Sequence, residues 1–267
     1  STDVDCIAMF GITTGTTATT YSPTDSVTRW QMALYLTRAL APAGGTLGAG
    51  VDQGFTDISG KSDAIQLAIN QIGELGISNG KTATTFAPDD NVTREEMAMF
   101  IERWLENVKA GPGGQSDADN DASLTAAQVT YVNSDCTVTV ACTGKYNYTD
   151  VDAGSVTVEG ANAIKELYDM GIHDGVSATT FNPSGDMTRA AMATFMTTAL
   201  DQTNARPEGL WLQASKYTNA GAHTPTLSVS DRDSSFAAIA DTPVDVFYWT
   251  TSSVVGNAAF LSTGICD

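Results

Sequence analysis

The sequence predicts an α+β protein: three helix–loop–helix repeats, a small β-hairpin inserted between the second and third, and a β-rich C-terminal segment. Three observations predict it. One motif is written three times without a gap, starting at residues 11, 76 and 171. Apolar residues recur at helical spacing on both sides of that motif in the complete copy. Beyond Arg206-Pro207 the pattern changes to alternation with β-forming residues. Self-similarity of this kind sets an architecture before local propensity is consulted.

The motif reads G-I-T-T-G-T-T-A-T-T-Y-S-P-T-D-S-V-T-R in the first copy, G-I-S-N-G-K-T-A-T-T-F-A-P-D-D-N-V-T-R in the second and G-I-H-D-G-V-S-A-T-T-F-N-P-S-G-D-M-T-R in the third. Gly15, Gly80 and Gly175 each stand fourteen residues before Arg29, Arg94 and Arg189. The second copy is complete. Phe55-Thr56-Asp57-Ile58 opens it. Ala64, Ile65, Ala68, Ile69, Ile72 and Leu75 then form one helical face, which Gly76 ends as a C-cap glycine. After a loop to Pro88, a second helix starts at Val92-Thr93-Arg94 and carries Met97, Phe100, Ile101, Trp104 and Leu105 on one face.

The start of the second helix is well marked. Thr28 and Thr93 are good N-caps, and Gln31 and Glu96 three positions on complete capping boxes. The third copy keeps Thr188 but has Ala191, so its box is lost. Met32, Met97 and Met192, with Tyr35, Phe100 and Phe195, read as core packing at helical spacing. The arginine is harder to place. A cation in the first helical turn opposes the macrodipole by some tenths of a kcal/mol, so three such arginines need a compensating anion. Asp57 and Asp150 of the F/Y-T-D segments could supply it. So could a bound ligand, because an arginine fork beside free helix N–H groups suits a carboxylate or phosphate. The two readings are compatible if the arginine bridges both.

The combination F-T-D-I, L-G-I-S-N-G, F-A-P and V-T-R-E-E-M-A-M-F-I at these spacings resembles the S-layer homology module. The resemblance divides the chain into a first repeat at 1–44, incomplete at its N-terminal side, a second at 54–108, an insertion at 109–145, a third repeat at 146–204 and a β-rich domain at 206–267. It implies modules that come in threes, pack as a pseudo-threefold bundle and hold secreted proteins to the cell surface by binding wall glycan. In several members that glycan carries pyruvyl ketals. It also implies grooves lined by Arg29, Arg94 and Arg189, by Asp57 and Asp150, and by Gly15, Gly80 and Gly175. Three departures stand out. The first copy begins inside its first helix and lacks an F-x-D segment, which suits a processed or clipped fragment. The third lacks the residue that completes the capping box. The T-R arginines are 65 residues apart, then 95, and the excess is the insertion.

A net charge of −18 argues against nucleic acid and anionic membranes as partners and suits salty or extracellular fluid. An acidic protein is thus expected to bind an acidic glycan. Screening beyond about 10 Å at 0.1 M salt lets local arginines set the sign inside a groove. No apolar run approaches the roughly 20 residues of a membrane span, and no signal peptide is visible at Ser1, as expected of a mature or trimmed secreted chain. Cys136 and Cys142 bracket a strand-like stretch and read as a local disulfide; Cys6 and Cys266 pair with each other or with partners beyond this chain.

In the insertion, Asp117, Asp119 and Asp121 resemble the front of a calcium loop, but Ala122 and Gln128 stand where such a loop wants Gly and Glu. A solvated acidic loop is the preferred reading, and calcium the one candidate cofactor. Gln128–Val132 and Thr137–Val140 alternate as a hairpin would. Leu210–Ala214, Thr226–Ser230 and Val244–Tyr248 read as strands of a small sandwich. His173 and His223 sit in no metal spacing; His173 reads as a variable residue on a groove rim. No catalytic motif is present, so no enzyme activity is expected.

The leading expectation is a non-catalytic anchoring or S-layer protein, extracellular and at the cell wall, with wall polysaccharide as partner. A charge-assisted hydrogen bond contributes about 1.5–3 kcal/mol, so one groove is a modest site and three together gain avidity. The alternative is an assembly protein, either an S-layer lattice subunit or a virion surface or fibre protein, that uses the same fold for contacts with itself or other proteins. A third reading is an enzyme whose catalytic domain lies outside this chain.

Overall fold

Each repeat's second helix packs on the next repeat, not on its own first helix. The computed structural model describes residues 2–111, 148–152, 154–206, 208–214, 227–234, 236, 239–241 and 243. Its helices are α1 (Thr2–Met9), α2 (Arg29–Leu40), α3 (Asp63–Glu74), α4 (Arg94–Leu105), α5 (Val158–Asp169) and α6 (Arg189–Gln202). Helix α2 packs on α3, α4 on α5, and α6 returns to α1. Helix α4 also touches α6.

Backbone hydrogen bonds at the centre repeat this cyclic order. Val27 N–H donates to the Met187 carbonyl, Met187 N–H to Val92 and Val92 N–H to Val27, each at 2.8 Å. All three side chains are fully buried. The first turns of α2, α4 and α6 are closed from outside their own repeat. Arg29 N–H donates to Asp90 O, Arg94 N–H to Gly185 O and Arg189 N–H to Asp25 O, each at 2.9 Å. The next amides, of Trp30, Glu95 and Ala190, donate to the carbonyls of Pro88, Pro183 and Pro23. The orphan donors of a helix start are thereby satisfied by a neighbour's loop. The third N–H follows the sequence expectation. Thr93 N–H donates to Glu96 at 3.1 Å and Glu96 N–H to Thr93 Oγ1 at 3.2 Å. Thr28 N–H donates to Gln31 in the same way. In α6 only the Ala191 N–H to Thr188 Oγ1 bond remains.

One apolar cluster joins all six helices, with Ile7, Leu36, Ile69, Trp104, Ile164 and Met196 among its members. Trp104 is fully buried and donates from Nε1 to the Leu36 carbonyl at 3.2 Å. Among the described residues the β structure is one antiparallel pair, β1 (Gly209–Ala214) with β2 (Leu227–Arg232), in register Gly209↔Arg232 to Ala214↔Leu227. Arg232 ties it to the helical part by donating to Asn204 O at 3.1 Å, and Phe236 packs on Phe10 with centroids 5.0 Å apart. The expected third strand at Val244–Tyr248 lies outside the described residues. So do the hairpin of the insertion, its three aspartates, His223 and the cysteines Cys136, Cys142 and Cys266. Cys6, the cysteine that is described, is buried and is not a free thiol.

Because Trp104 sits in a core shared by all three repeats, Trp104→Ala is expected to cost about 3–5 kcal/mol. Denaturant unfolding followed by circular dichroism should show that loss in one transition; separate transitions for the repeats would contradict a shared core.

Candidate functional site

The site elements are the glycine turns, the aromatic-x-proline loops and the three arginines. Gly15, Gly80 and Gly175 have φ of +79°, +77° and +78°. A Cβ on Gly80 would stand 2.6 Å from the Phe55 ring and 2.7 Å from Thr85 O, so both conformation and space require glycine. Two residues before each glycine, a side chain accepts its N–H at 3.3 Å: Thr13 Oγ1, Ser78 Oγ and His173 Nδ1.

The aspartates stand behind the loops. Asp57 takes the Phe86 N–H at 2.9 Å and the Ala87 N–H at 2.7 Å. Asp150 takes Phe181 and Asn182 at the same two distances. Ala87 and Asn182 are left-handed, at φ 55° and 60°, and the carboxylates hold them there. The aspartates thus do not serve as the arginines' hydrogen-bonding anions. They fix peptides whose carbonyls face the other way, toward the guanidinium groups.

Each arginine reaches the aromatic residue's carbonyl in the next repeat, aspartate-held in the second and third repeats but, among the described residues, not in the first. Arg29 Nε donates to Phe86 O at 2.8 Å, Arg94 Nε to Phe181 O at 2.6 Å and Arg189 Nε to Tyr21 O at 2.6 Å. Two rings flank each guanidinium: Phe86 and Phe100 at 4.8 and 5.3 Å from Arg29, Phe181 and Phe195 at 4.7 and 5.6 Å from Arg94, and Tyr21 and Tyr35 at 4.4 and 5.9 Å from Arg189. Such stacking favours a partly desolvated cation. The side chain therefore leaves the helix whose dipole it would oppose. Burial lowers the pKa of Arg29, opposed by Glu96, Asp90 and Asp57; burial lowers that of Arg94 too, opposed by Tyr148 and Asp150.

Burial is deep, yet Arg189 and Arg29 open on cavities. Arg29, Arg94 and Arg189 are 2%, 6% and 2% exposed. Arg189 walls a cavity of about 450 Å³ with Thr13, Gly15, Trp30, Tyr35 and Arg38. Arg29 walls one of about 380 Å³ with Ser78, Gly80, Lys81, Glu96 and Arg103. Nη2 of both Arg94 and Arg189 is buried without an acceptor among the described residues. The sequence reading missed Arg38 and Arg103, which line these cavities and donate to the turn carbonyls of Ile12 and Ile77 at 3.2 and 3.3 Å. Their signal was present: each lies nine residues after its T-R arginine, where the third copy has Thr198.

His173 corrects another expectation. It is not on a rim: it is 6% exposed and stacked among Tyr148, Phe181 and Phe195. Its Nε2–H donates to Ile164 O at 2.9 Å while Nδ1 accepts the Gly175 N–H. Burial, aided by Arg94, lowers its pKa to about 4, so it is neutral at pH 7. Among the described residues, no cluster of His, Cys, Asp or Glu could hold a metal, and no helix is long and apolar enough to cross a membrane.

The model of the S-layer homology domain matches residues 54–98 and 147–193, and the chain is an S-layer homology domain protein. Domains of this family are non-catalytic and hold proteins at the cell wall by binding its polysaccharide. The chain is 31% identical over 189 residues to an endoglucanase of Bacillus sp. (strain KSM-635), a match covering 71% of this chain and 16% of that protein.

Gly80→Ala should destabilise the chain by more than 1 kcal/mol in chemical denaturation, because neither the positive φ nor the Thr85 carbonyl can yield cheaply. A second expectation concerns Glu102, which burial and then Glu166 and Glu106 push up from 4.5 to about 7. The folded state holds this proton more tightly than the unfolded chain. Glu102 therefore withdraws stability as pH rises from about 4.5 to 7. Compared with wild type, Glu102→Gln should gain stability at pH 8 relative to pH 5; equal pH profiles for the two proteins would refute this.

Proposed function

We propose that this chain is a non-catalytic anchoring region that binds an anionic wall polysaccharide, of the pyruvyl-ketal type, in the grooves between its repeats. Residues 2–44 form a third module, and the three modules stand about a pseudo-threefold axis. The observation that carries this reading is the repeated placement of a guanidinium, backed by aromatic rings, beside a glycine turn of the next repeat. A carboxylate on a sugar would complete the open side of that fork. Hydroxyl groups of the turns, such as Thr14 and Thr16, suit the sugar itself. The roles of Asp57, Asp150, Gly15, Gly80 and Gly175 are to shape the groove, with the arginines as its charge. The similarity to a stretch of an endoglucanase supports an anchoring role, with any catalysis residing in other domains of such proteins.

Cosedimentation with purified wall polysaccharide tests the reading. The chain should pellet with native polymer and stay in solution with polymer whose ketals have been removed by mild acid. Equal retention on both polymers would sink the anionic ligand, and no retention on either would sink anchoring.

A further inference from the structure

The three grooves are built on one plan but differ in charge and filling. The Arg29 cavity already contains an anion. Glu96 Oε1 accepts from Arg29 Nη1 at 3.2 Å and from Lys81 at 2.5 Å, while its other oxygen caps α4. Glu159 faces the same cavity and pairs with Arg103. In the Arg94 groove the turn bears Asp174, buried His173 packs on Phe181 and Phe195, the two rings that flank the guanidinium, and Thr198 replaces the second arginine. The Arg189 cavity is different. Arg189 and Arg38 both line it, and among the described residues no carboxylate does. Gln31 stands where Glu96 stands in the second repeat. Arg189 is 2% exposed, and its buried Nη2 has no acceptor among the described residues. Trp30 lines the cavity with its half-buried indole, at the position where the second repeat has Glu95. Glu95 is engaged elsewhere, accepting from Thr157 N–H at 2.8 Å.

We infer that the Arg189 groove is the principal seat of the anionic sugar, and that Glu96 keeps the Arg29 groove shut by acting as its internal ligand. The inference rests on the proposed glycan reading and specifies which site carries it. Two guanidinium groups hold the carboxylate of the ligand, and the Trp30 face packs against the sugar ring. In the Arg29 groove an incoming carboxylate must displace Glu96 from two cations, and the displaced carboxylate would remain nearby as a like charge.

Calorimetric titration of the full chain with a methyl hexoside bearing a cyclic pyruvyl ketal tests this, with the unketalised hexoside as control. One ketal per chain is expected. Arg38→Gln and Trp30→Ala should each weaken binding about tenfold, while Arg103→Gln changes it less than twofold. Glu96→Gln, which copies the Gln31 arrangement, should raise the stoichiometry to two without weakening the first site. Both Glu96→Gln and Arg103→Gln lie away from the Arg189 groove, so a folding defect at Arg38 does not decide the outcome. The inference is overturned if the wild type takes two or three ketals, if Arg103→Gln rather than Arg38→Gln weakens binding, or if Glu96→Gln leaves the count at one. Absence of ketal binding also overturns it. Anchoring to the wall polymer itself falls only if native polymer fails to retain the chain as well.

Discussion

The structure depends on the start of each repeat's second helix being finished by the loop of the following repeat. Backbone amides in the first turns of α2, α4 and α6 donate to carbonyls near Pro88, Pro183 and Pro23, and the arginine beside each one reaches the neighbouring aromatic residue's carbonyl. A single repeat would leave these donors to water and its apolar faces exposed. The repeats are therefore mutually necessary, and the closing contact between α6 and α1 makes the arrangement cyclic.

The same arrangement explains how a buried cation is tolerated. A guanidinium taken out of water loses hydration, which is costly unless its donors are met. Here a carbonyl takes Nε and two rings flank the group. What remains differs by repeat: Glu96 meets Arg29, the Tyr35 hydroxyl meets Arg189, and among the described residues Nη2 of Arg94 and Arg189 finds no acceptor. A donor left over in a buried place is an energetic cost for the fold and an opportunity for a ligand. The glycine turn beside it keeps that place narrow, since a Cβ would collide with backbone carbonyls.

The copies differ at many positions, among them side chains that line the grooves. The motif glycines, the T-R pair, the proline and the aromatic are shared, whereas Gln31, Glu96 and Ala191 differ, as do Thr13, Ser78 and His173. In His173 the shared task of accepting the glycine amide is kept by Nδ1 while the ring takes up volume. An overall charge of −18 is compatible with an anionic ligand because the opposing charges are local.

Helix starts, capping boxes, the glycine turns and the heptad-like apolar faces were legible in the sequence, because each is a local matter of backbone conformation and side-chain spacing. Strands expected at Leu210–Ala214 and Thr226–Ser230 were legible for the same reason and stand at Gly209–Ala214 and Leu227–Arg232, but their antiparallel pairing was not read from the sequence. The arginines were recognised as anomalous, but not what they touch. Only tertiary structure decided that Asp57 and Asp150 serve loop amides, that Glu96 rather than either aspartate pairs with Arg29, that Arg38 and Arg103 join the grooves, and that His173 is buried. These facts concern residues tens of positions apart in the chain. Their pairing is set by how one repeat docks on the next, which no local pattern encodes.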